Sequence, residues 1–405
     1  MKIIFANKYW YLKGGAERYE FDLAELLSNH GHDIIPFAMR SLKNFPSEWK
    51  NFFVSEVQTE RVGFGWEGLR TAFRSLWSFE ARSKFGALLD ETQPSLVHVH
   101  NIYRQISPSI LGAARKRGLP IVMTVHDYAL ISPNYSLYHD GAICEVTKPE
   151  LYSAAVRHRC VKGSYLASAL VALEMRLHRR LHAWENVDRF IAPSRFTASL
   201  LAAYGVPDEI ITHVPHFIDA TLWKTSYGTG EYVLFVGRLS EEKGVATLIR
   251  AAALIPDIPF HIVGTGPEEE RLRALAEELG ASNVKFRGWM SGEVLRAEYA
   301  DARFVVVPSE WYEVFGLIVL EAYAAGKPVI ASQIGGLAEL VKDGETGLHA
   351  SAGDEKDLAT NIYSLWTDPV AGESMGRAGR AWVEAEFSPE EHYRRIMEVY
   401  GSVME

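Results

Sequence analysis

The sequence predicts an α/β protein built from two doubly wound domains, and three observations lead to this fold class. Apolar segments alternate with helix-like segments through both halves, which is typical of parallel sheets covered on both faces. The chain has 405 residues, more than a single hydrophobic core usually serves. Hydrophobic residues make up 48% and charged residues 23%, as in ordinary globular proteins.

The predicted strands and helices follow one another in both halves. The first half has strands at residues 2–6, 96–100, 121–126, 189–192 and 211–214, and helices at residues 16–29, 108–116 and 194–204. The second half has helices in the gaps between strands, a final helix at residues 389–404, and strands at residues 232–236, 260–263, 284–286, 304–307 and 328–331.

Two domains are expected to face each other across a cleft. The first domain covers residues 1–215 and takes in the C-terminal helix at residues 389–405, and the second covers residues 220–388. Ligands of doubly wound sheets bind at the carboxyl ends of the strands, so a site between the two sheets is predicted.

Composition limits the class of protein. No apolar run approaches the roughly 18 residues of a membrane span, and the chain opens on a strand, so no signal peptide is expected. Cys144 and Cys160 are the only cysteines, which gives no disulfide framework and favours a reducing cytoplasm. Nothing resembles the basic footprint of a nucleic-acid-binding protein.

The charge is spread unevenly. The net charge is −9; residues 1–215 carry 25 basic and 21 acidic side chains, a balance of +4, and the rest carry 17 and 30, a balance of −13. Between Arg157 and His182 there are six basic residues and one acid, Glu174. These basic residues fit an anionic membrane surface, and a solvated helix face of chance composition is the simpler interpretation.

Two carboxylates lie in one strand–loop–helix–strand segment, residues 304–332. Glu313 falls in the loop, and Glu321 follows eight positions later in the helix, which starts near Phe315-Gly316-Leu317. The first amides of a helix lack intrahelical partners and form an anion site. Helical side chains lean toward the N-terminus, so Glu321 is expected to reach the same end. Phosphate-binding amides beside two hydroxyl acceptors match a nucleoside diphosphate-sugar.

A second loop offers cations for a diphosphate. Arg238 and Lys243 follow the strand at residues 232–236, where a pyrophosphate leaving group would need neutralising. Two solvated surface cations are the alternative interpretation. The segment that carries Glu313 and Glu321 favours the first interpretation, in which the two cations bind a diphosphate.

Glycine turns follow three of the predicted strands. Gly14 and Gly15 open a helix after the first strand and would let the backbone approach a phosphate or sugar, or only mark a tight turn. Neither this pair nor Gly264-Thr265-Gly266 completes the G-x-G-x-x-G fingerprint, which argues against a simple dinucleotide enzyme. Gly335 and Gly336 either admit a ligand or cap a strand.

Other polar residues of the first half are candidate catalytic or metal-binding groups. His126 and Asp127 end the strand at residues 121–126, where an imidazole would hydrogen-bond a sugar hydroxyl or only satisfy local backbone groups. A metal site assembled from two histidines and two cysteines has no tight Cys-x-x-Cys spacing, so no metal is expected. The residues concerned are His139, Cys144, His158 and Cys160.

Aromatic residues are dense between Phe45 and Phe79. They fit an acceptor site for a sugar face or an apolar tail, although aromatic residues more often fill a core. The residues are Trp49, Phe52, Phe53, Phe64, Trp66, Phe73 and Trp77.

Taken as a set, these motifs resemble family 4 retaining glycosyltransferases, which have the GT-B fold. The resemblance rests on the Glu313–Glu321 spacing, the loop from Gly237 to Gly244, the Gly14-Gly15 pair and His126, and it covers nearly the whole chain. It implies that the first domain receives the acceptor and the second the nucleotide-sugar. It also implies transfer with retention of configuration, without a metal and without an enzymic nucleophile.

The resemblance assigns roles by position. Glu313 would hold donor-sugar hydroxyls, Glu321 the ribose, and Arg238 with Lys243 the diphosphate. The remaining donor-binding positions are the amides of Phe315, Gly316 and Leu317, the Gly14-Gly15 turn, His126 beside the transferred sugar, and Trp289-Met290 near the base.

One segment departs from the family pattern. Relatives usually have Pro-Asn-Gly-hydrophobic-Asp between the domains, and this chain has Pro215-His216-Phe217-Ile218-Asp219. Without the glycine, a different turn conformation is expected.

The leading hypothesis is a hexosyltransferase that uses a UDP-glucose-type donor first and GDP-mannose second. The acceptor would be a saccharide or lipid-linked saccharide in polysaccharide or glycolipid synthesis, at the inner face of the membrane or in the cytoplasm. The alternatives are a GT-B UDP-sugar epimerase or hydrolase and a non-catalytic nucleotide-sugar-binding protein.

Overall fold

The computed structural model describes residues 1–57, 74, 76–228 and 230–404. Its first lobe contains a parallel sheet in the order β2-β1-β3-β4-β7-β8 and a short antiparallel hairpin, β5-β6. In chain order these strands are β1 (Lys2–Ala6), β2 (Asp33–Phe37), β3 (Leu96–Val99), β4 (Ile121–Thr124), β5 (Tyr138–His139), β6 (Ala142–Ile143), β7 (Arg189–Ala192) and β8 (Ile211–His213).

Six α-helices within the described residues surround the first sheet. They are α1 (Gly15–Asn29), α2 (Phe79–Thr92), α3 (Leu111–Arg115), α4 (Tyr152–Arg157), α5 (Tyr165–Arg180) and α6 (Arg195–Ala203).

The second lobe repeats the architecture, with a parallel sheet in the order β11-β10-β9-β12-β13-β14. Its strands are β9 (Tyr232–Val236), β10 (Phe260–Val263), β11 (Val284–Gly288), β12 (Ala302–Val307), β13 (Val329–Ser332) and β14 (Gly347–Ala350). Its helices are α7 (Val245–Leu254), α8 (Glu269–Glu278), α9 (Gly292–Asp301), α10 (Leu317–Ala324), α11 (Leu337–Leu340), α12 (Glu355–Thr367) and α13 (Pro369–Glu386).

The predicted α/β class with two doubly wound sheets is confirmed. Two strands of these sheets were missed, and both lie at a sheet edge, as do the predicted strands β8 and β11. β2 contains Pro36, which an edge strand tolerates because one side of it needs no donor. β14 contains Gly347. The short hairpin β5-β6 was missed as well.

Several predicted bounds were wrong at the site end of the first sheet. β3 stops at Val99 and β4 at Thr124, so His100 and His126 lie in loops instead of strands. After β4 only the N–H of Val125 still pairs across the sheet, with the carbonyl of Ile191 at 3.0 Å. The predicted helix at residues 108–116 is a 3-10 turn, Pro108–Ile110, followed by α3.

The chain crosses between the lobes twice, at neighbouring positions. Residues 214–219 lead into the second lobe, and residues 387–389 return to α14 (Pro389–Met404), whose bounds match the predicted final helix. The N–H of Ile218 donates to the carbonyl of Phe387 at 3.0 Å, which joins the two crossings. The domain limits given above stay a prediction.

The C-terminal helix completes the core of the first lobe. Ile396, Val399 and Tyr400 on α14 pack with residues of β1 and α1, including Phe5 and Leu23. A separate core covers the other face of the first sheet, and two more cores cover the two faces of the second sheet. Each sheet is therefore buried on both sides, and its strand ends are left to line the cleft.

Candidate active site

The loops that follow the strands beside each crossover lie between the lobes. The strand order reverses between β9 and β12 in the second sheet and between β1 and β3 in the first. Ligands of doubly wound sheets bind at such switch points. The site is therefore built from residues 237–244 and 308–316 on one side and from the loops after β1, β3 and β4 on the other.

Gly244 lets the loop after β9 lie directly against the loop after β12. Its φ is +67°, and a Cβ at this position would be 1.8 Å from the carbonyl oxygen of Pro308. Glycine adopts this conformation without strain and leaves the space free. The close approach holds Lys243 beside the loop that carries Glu313.

Lys243 and Glu313 form a largely buried ion pair. Lys243 Nζ donates to Glu313 Oε1 at 2.6 Å, and Ser309 Oγ donates to the same oxygen at 2.7 Å. Burial raises the pKa of Glu313, but Lys243 and Ser309 together outweigh burial, so the pKa lies below its usual value. Glu313 is therefore an ionised acceptor at neutral pH with a cation held beside it.

The glycine pair after β13 supports the Glu313 loop. Gly335 has a φ of +58°, and a Cβ there would be 2.7 Å from the backbone nitrogen of Glu313. The N–H of Gly336 donates to the carbonyl of Glu313 at 2.7 Å. The glycines therefore position the backbone of Glu313, and the two roles left open by the sequence, ligand contact and strand capping, stay predictions.

Two glycine-led helix starts lie opposite each other across the cleft. Gly316 precedes α10 with a φ of +120°, and a Cβ there would be 2.8 Å from Leu337 Cδ2. A Cβ on Gly15, at the start of α1, would be 3.9 Å from Leu317 Cδ1. Both helix ends present free amides and the positive end of a dipole, which together suit a diphosphate.

Glu321 is engaged by the first lobe, a contact that the sequence prediction missed. Arg18 Nη1 donates to Glu321 Oε1 at 2.6 Å, and Tyr299 Oη donates to Oε2 at 2.6 Å. Each carboxylate oxygen can accept a second hydrogen bond, so a ribose diol is still compatible with this position. The available signal was the place of Arg18, one helical turn after Gly14 and Gly15.

The other predicted donor-binding residues are more exposed. Arg238 follows β9 and is exposed. Its charge acts on Tyr135 of the first lobe, whose pKa burial and Glu242 raise and Arg238 lowers. Trp289 after β11 is 72% exposed, and Met290 packs on a core of the second lobe. Among the described residues, neither Arg238 nor Trp289 contacts the Lys243–Glu313 pair.

Five histidines form a group on the first lobe's side of the cleft. The rings of His98 and His100 stack at 4.5 Å, those of His100 and His126 lie 5.2 Å apart, and those of His126 and His216 lie 5.8 Å apart. His392 of α14 bonds with Tyr19 Oη at 3.1 Å. The sequence singled out His126, and it missed the group because its members are dispersed over four segments.

The histidine group is neutral at neutral pH. Burial lowers the pKa of His98, His126 and His392 to about 3, and Lys8 adds to the effect at His126. Burial also holds the pKa of His100 and His216 well below the ordinary value.

Several carboxyl groups of the first lobe also have a pKa that favours their neutral form. Burial raises the pKa of Glu17, Glu20 and Asp127. Asp127, predicted to point at the cleft, accepts a hydrogen bond from the N–H of Ala129 at 2.9 Å. It therefore caps the short turn that follows β4.

The candidate metal ligands are grouped without forming a metal site. Burial and the adjacent Cys144 raise the pKa of Cys160 to about 12, and His139 Nε2 lies 2.9 Å from the carbonyl of His158. Within the part of the chain that the structure describes, no three His, Cys, Asp or Glu side chains are arranged to hold a metal ion.

Three of the described aromatic residues in this region lie in or against the core of the first lobe. Phe53 is buried, and Trp49 and Phe52 pack against a core of the first lobe. Trp77 lies 6.4 Å from the ring of His178. The remaining three aromatic residues of this prediction, Phe64, Trp66 and Phe73, lie outside the described residues.

Helix α5 carries an exposed apolar face. Leu166 and Leu173 are 73% and 56% exposed, and Arg176 and Arg180 on the same helix are also exposed. Among the helices of the described residues, none combines the length and the apolar character needed to cross a bilayer.

Two family sequence models divide the chain between them. The model described as "Glycosyltransferase Family 4" matches residues 13–222, and the model described as "Glycosyl transferases group 1" matches residues 223–382. The first match alone covers more than half of the chain.

Similar curated proteins are glycosyltransferases with differing substrates. A GDP-mannose-dependent phosphatidylinositol monomannoside mannosyltransferase of Mycolicibacterium smegmatis is 34% identical over 50% of this chain and 59% of its own length. A 2-deoxystreptamine N-acetyl-D-glucosaminyltransferase of Niallia circulans is 27% identical over 76% of each chain. The chain thus spans 59% and 76% of the lengths of these two relatives.

Solved structures share the whole architecture. Sucrose-phosphate synthase from Thermosynechococcus elongatus has a TM-score of 0.74 at 22% identity and covers 99% of this chain and 98% of its own. HepE from Anabaena, solved with UDP and glucose, has a TM-score of 0.69 at 21% identity over 99% and 100%. These likenesses confirm the predicted GT-B fold.

Proposed function

The chain belongs to glycosyltransferase family 4, and from this premise we propose that it transfers a hexose from a nucleotide-diphosphate sugar to a saccharide or lipid-linked saccharide. One observation supports the proposal above the others. The ion pair of Lys243 and Glu313 lies beside the free amides of α10 and faces the start of α1 across the cleft. A cation, helix amides and an ionised hydroxyl acceptor are the groups that a sugar diphosphate requires.

In this proposal the diphosphate binds between the two helix starts. Lys243 and Arg238 neutralise the charge that develops on the leaving phosphate, and the amides of Phe315, Gly316 and Leu317 donate to its oxygens. Gly14 and Gly15 approach from the first lobe. These groups supply the charge compensation themselves, so we propose that transfer does not require a metal; activity that survives a chelator would support this.

Glu313 and His126 are assigned to the transferred sugar. Glu313 accepts hydrogen bonds from sugar hydroxyls, and His126 contacts the sugar from the first lobe. Glu321 accepts from the ribose, and Trp289 with Met290 lies beside the base. We propose retention of configuration, with the leaving phosphate assisting deprotonation of the acceptor. The anomeric configuration of the product, measured by NMR, tests this step.

The donor is proposed to be of the UDP-glucose type, with GDP-mannose as the competing candidate. The similarity to a GDP-mannose-dependent enzyme favours the second candidate. Thermal unfolding with UDP-, GDP- and ADP-sugars decides between them, because a ligand that binds the native state raises the unfolding temperature by mass action.

An assay for release of the nucleoside diphosphate separates transfer from the alternatives. A transferase releases the nucleoside diphosphate only when an acceptor is added, an epimerase or hydrolase releases it without one, and a non-catalytic binding protein releases none. Release that does not depend on any saccharide or lipid-linked acceptor would contradict the proposal.

We further propose that the first lobe rests on the anionic inner surface of the membrane through α5. Its exposed leucines would enter the headgroup boundary while Arg176 and Arg180 contact anionic lipids. The test is co-sedimentation with vesicles containing phosphatidylglycerol. Leu166→Ser with Leu173→Ser should weaken binding, and Leu222→Ser, an exposed leucine of the interlobe region, is the matched control.

A further inference from the structure

Two buried ring nitrogens of the histidine group have no hydrogen-bond partner among the described residues. They are Nε2 of His100 and Nδ1 of His216. A buried N–H without a partner is rare in folded proteins, and an unpaired acceptor is tolerated more often. Each of these neutral rings therefore carries its proton on the other nitrogen, Nδ1 in His100 and Nε2 in His216.

The proton of His100 determines the tautomer of His126. Nδ1 of His100 lies 2.9 Å from Nε2 of His126. When His100 donates this hydrogen bond, Nε2 of His126 accepts it, and the single proton of neutral His126 is on Nδ1. The side chain of His126 is only partly buried. Among the described residues, its Nδ1 is not one of the fully buried nitrogens that lack a hydrogen-bond partner. An N–H donor is thus left open at His126.

His216 offers a second open nitrogen on the same wall. Its ring lies 3.9 Å from that of Tyr19, tilted by 32°, and 5.0 Å from the ring of Phe315, which precedes the N-cap residue of α10. Nδ1 of this ring is fully buried without a hydrogen-bond partner, whereas Nε2 is not among such atoms of the described residues. The rings of His126 and His216 are 5.8 Å apart, close enough for one sugar phosphate to contact both.

We propose that His126 Nδ1 and His216 Nε2 form a pair of neutral N–H donors for the oxygens of the nucleotide sugar, with His100 as the positioning residue for His126. The pair rests on the proposed function and extends it to His216, at the position where the family motif usually has asparagine. Neutral donors bind hydroxyl and phosphate oxygens without adding charge to the wall.

The tautomers are tested in the ligand-free protein by NMR. Isotope labelling of histidine ring nitrogens distinguishes a protonated nitrogen from a bare one, and His126→Gln and His216→Gln assign the signals. We expect the proton on Nδ1 of His126 and on Nε2 of His216. The opposite tautomer at either ring overturns the proposal, and this result does not depend on any donor being turned over.

Matched substitutions of His100 separate positioning from packing. The amide of His100→Asn can still donate to His126, so its tautomer and activity should persist. His100→Leu cannot donate; it should shift His126 to the other tautomer and lower kcat/KM about tenfold, the size of one hydrogen bond. His98→Gln is the control, because both nitrogens of His98 are bonded elsewhere, to Tyr400 and Thr124.

His216 is tested by its contact with the donor. With UDP-glucose or GDP-mannose, whichever is turned over, His216→Gln keeps an N–H near Nε2 and should raise the donor KM less than His216→Leu does. His216→Leu should raise that KM about tenfold, with kcat changing less. A folded His216→Leu enzyme with the wild-type KM overturns this part of the proposal. Absence of transfer by the wild type would instead count against the proposed function.

Discussion

The two walls of the interlobe cleft treat charge in opposite ways. On the second lobe, Lys243 holds the pKa of Glu313 below its usual value, so both groups stay charged. On the first lobe, burial lowers the pKa of His98 and His126 and raises that of Glu20, which favours the neutral form of each group. The second-lobe wall therefore carries the charges that the proposed diphosphate requires, and the first-lobe wall offers neutral hydrogen-bonding groups.

Removing the cation of the charged wall should give the largest effect. In Lys243→Met, Glu313 loses its cationic partner, and the proposed leaving phosphate loses a cation. We expect kcat/KM to fall about a thousandfold, as when a transition-state charge loses its stabilising donor. Initial rates of nucleoside diphosphate release measure this.

Neutralising Glu313, the other member of the ion pair, tests whether the pair needs both of its charges. Glu313→Gln keeps the shape of the side chain without its charge and should also lose nearly all transfer, while circular dichroism stays unchanged. Wild-type rates in both variants would show that the charged pair is not part of the site.

Acid should destabilise the first lobe before the second. A histidine whose folded pKa is about 3 binds its proton less readily than in the unfolded chain, where the pKa is about 6.5. Its stabilising contribution is therefore complete above about pH 6.5 and is lost as the pH falls toward 3. Buried carboxyl groups with raised pKa, such as Glu20 and Glu174, oppose this but are fewer than the shifted histidines.

We expect the free energy of unfolding to fall by at least about 1.4 kcal/mol per pH unit between about pH 6.5 and 5, the slope of one net proton. Urea unfolding measures the total, and hydrogen exchange should show first-lobe peptides opening first. His392→Gln should flatten the profile. A stability that is constant down to about pH 5 would contradict the neutral wall.

The two walls are joined by the ion pair of Arg18 and Glu321. Arg18→Met removes a contact of 2.6 Å that holds the lobes together without a ligand. Because Arg18 is 41% exposed, the pair is worth only about 1 kcal/mol. We expect a larger radius of gyration by small-angle X-ray scattering and a donor KM raised about fivefold. Arg394→Met, which removes an exposed pair within α14, is the control.

The smallest effect is expected within the second lobe. Tyr299→Phe removes one of the two hydrogen bonds that orient Glu321. The donor KM should rise two- to fivefold, about 1 kcal/mol at most, with kcat unchanged. An equal loss in kcat would place Glu321 nearer to the transferred sugar than to the ribose.

The sequence predicted the charged wall far better than the neutral one. Glu313, Lys243 and Gly316 lie in two short segments whose spacing alone implies a shared loop environment. His98, His216 and His392 come from segments nearly 300 residues apart, and only the tertiary packing of α14 and the interlobe segment brings them together. Contacts between lobes, such as Arg18 with Glu321, leave no periodic trace along the chain.

The different turn conformation expected at the interlobe segment stays a prediction. Residues 215–219 have no positive φ, so their backbone does not require glycine. The side chains of His216 and Phe217, which stand where relatives usually have asparagine and glycine, are buried.

The hydrogen bond from the N–H of Ile218 to the carbonyl of Phe387 fastens the two chain crossings side by side. Any rotation of one lobe against the other has to pass through these neighbouring crossings. We therefore expect residues next to them, such as His216, to move least, and a pair of labels on opposite sides of the cleft to report the motion.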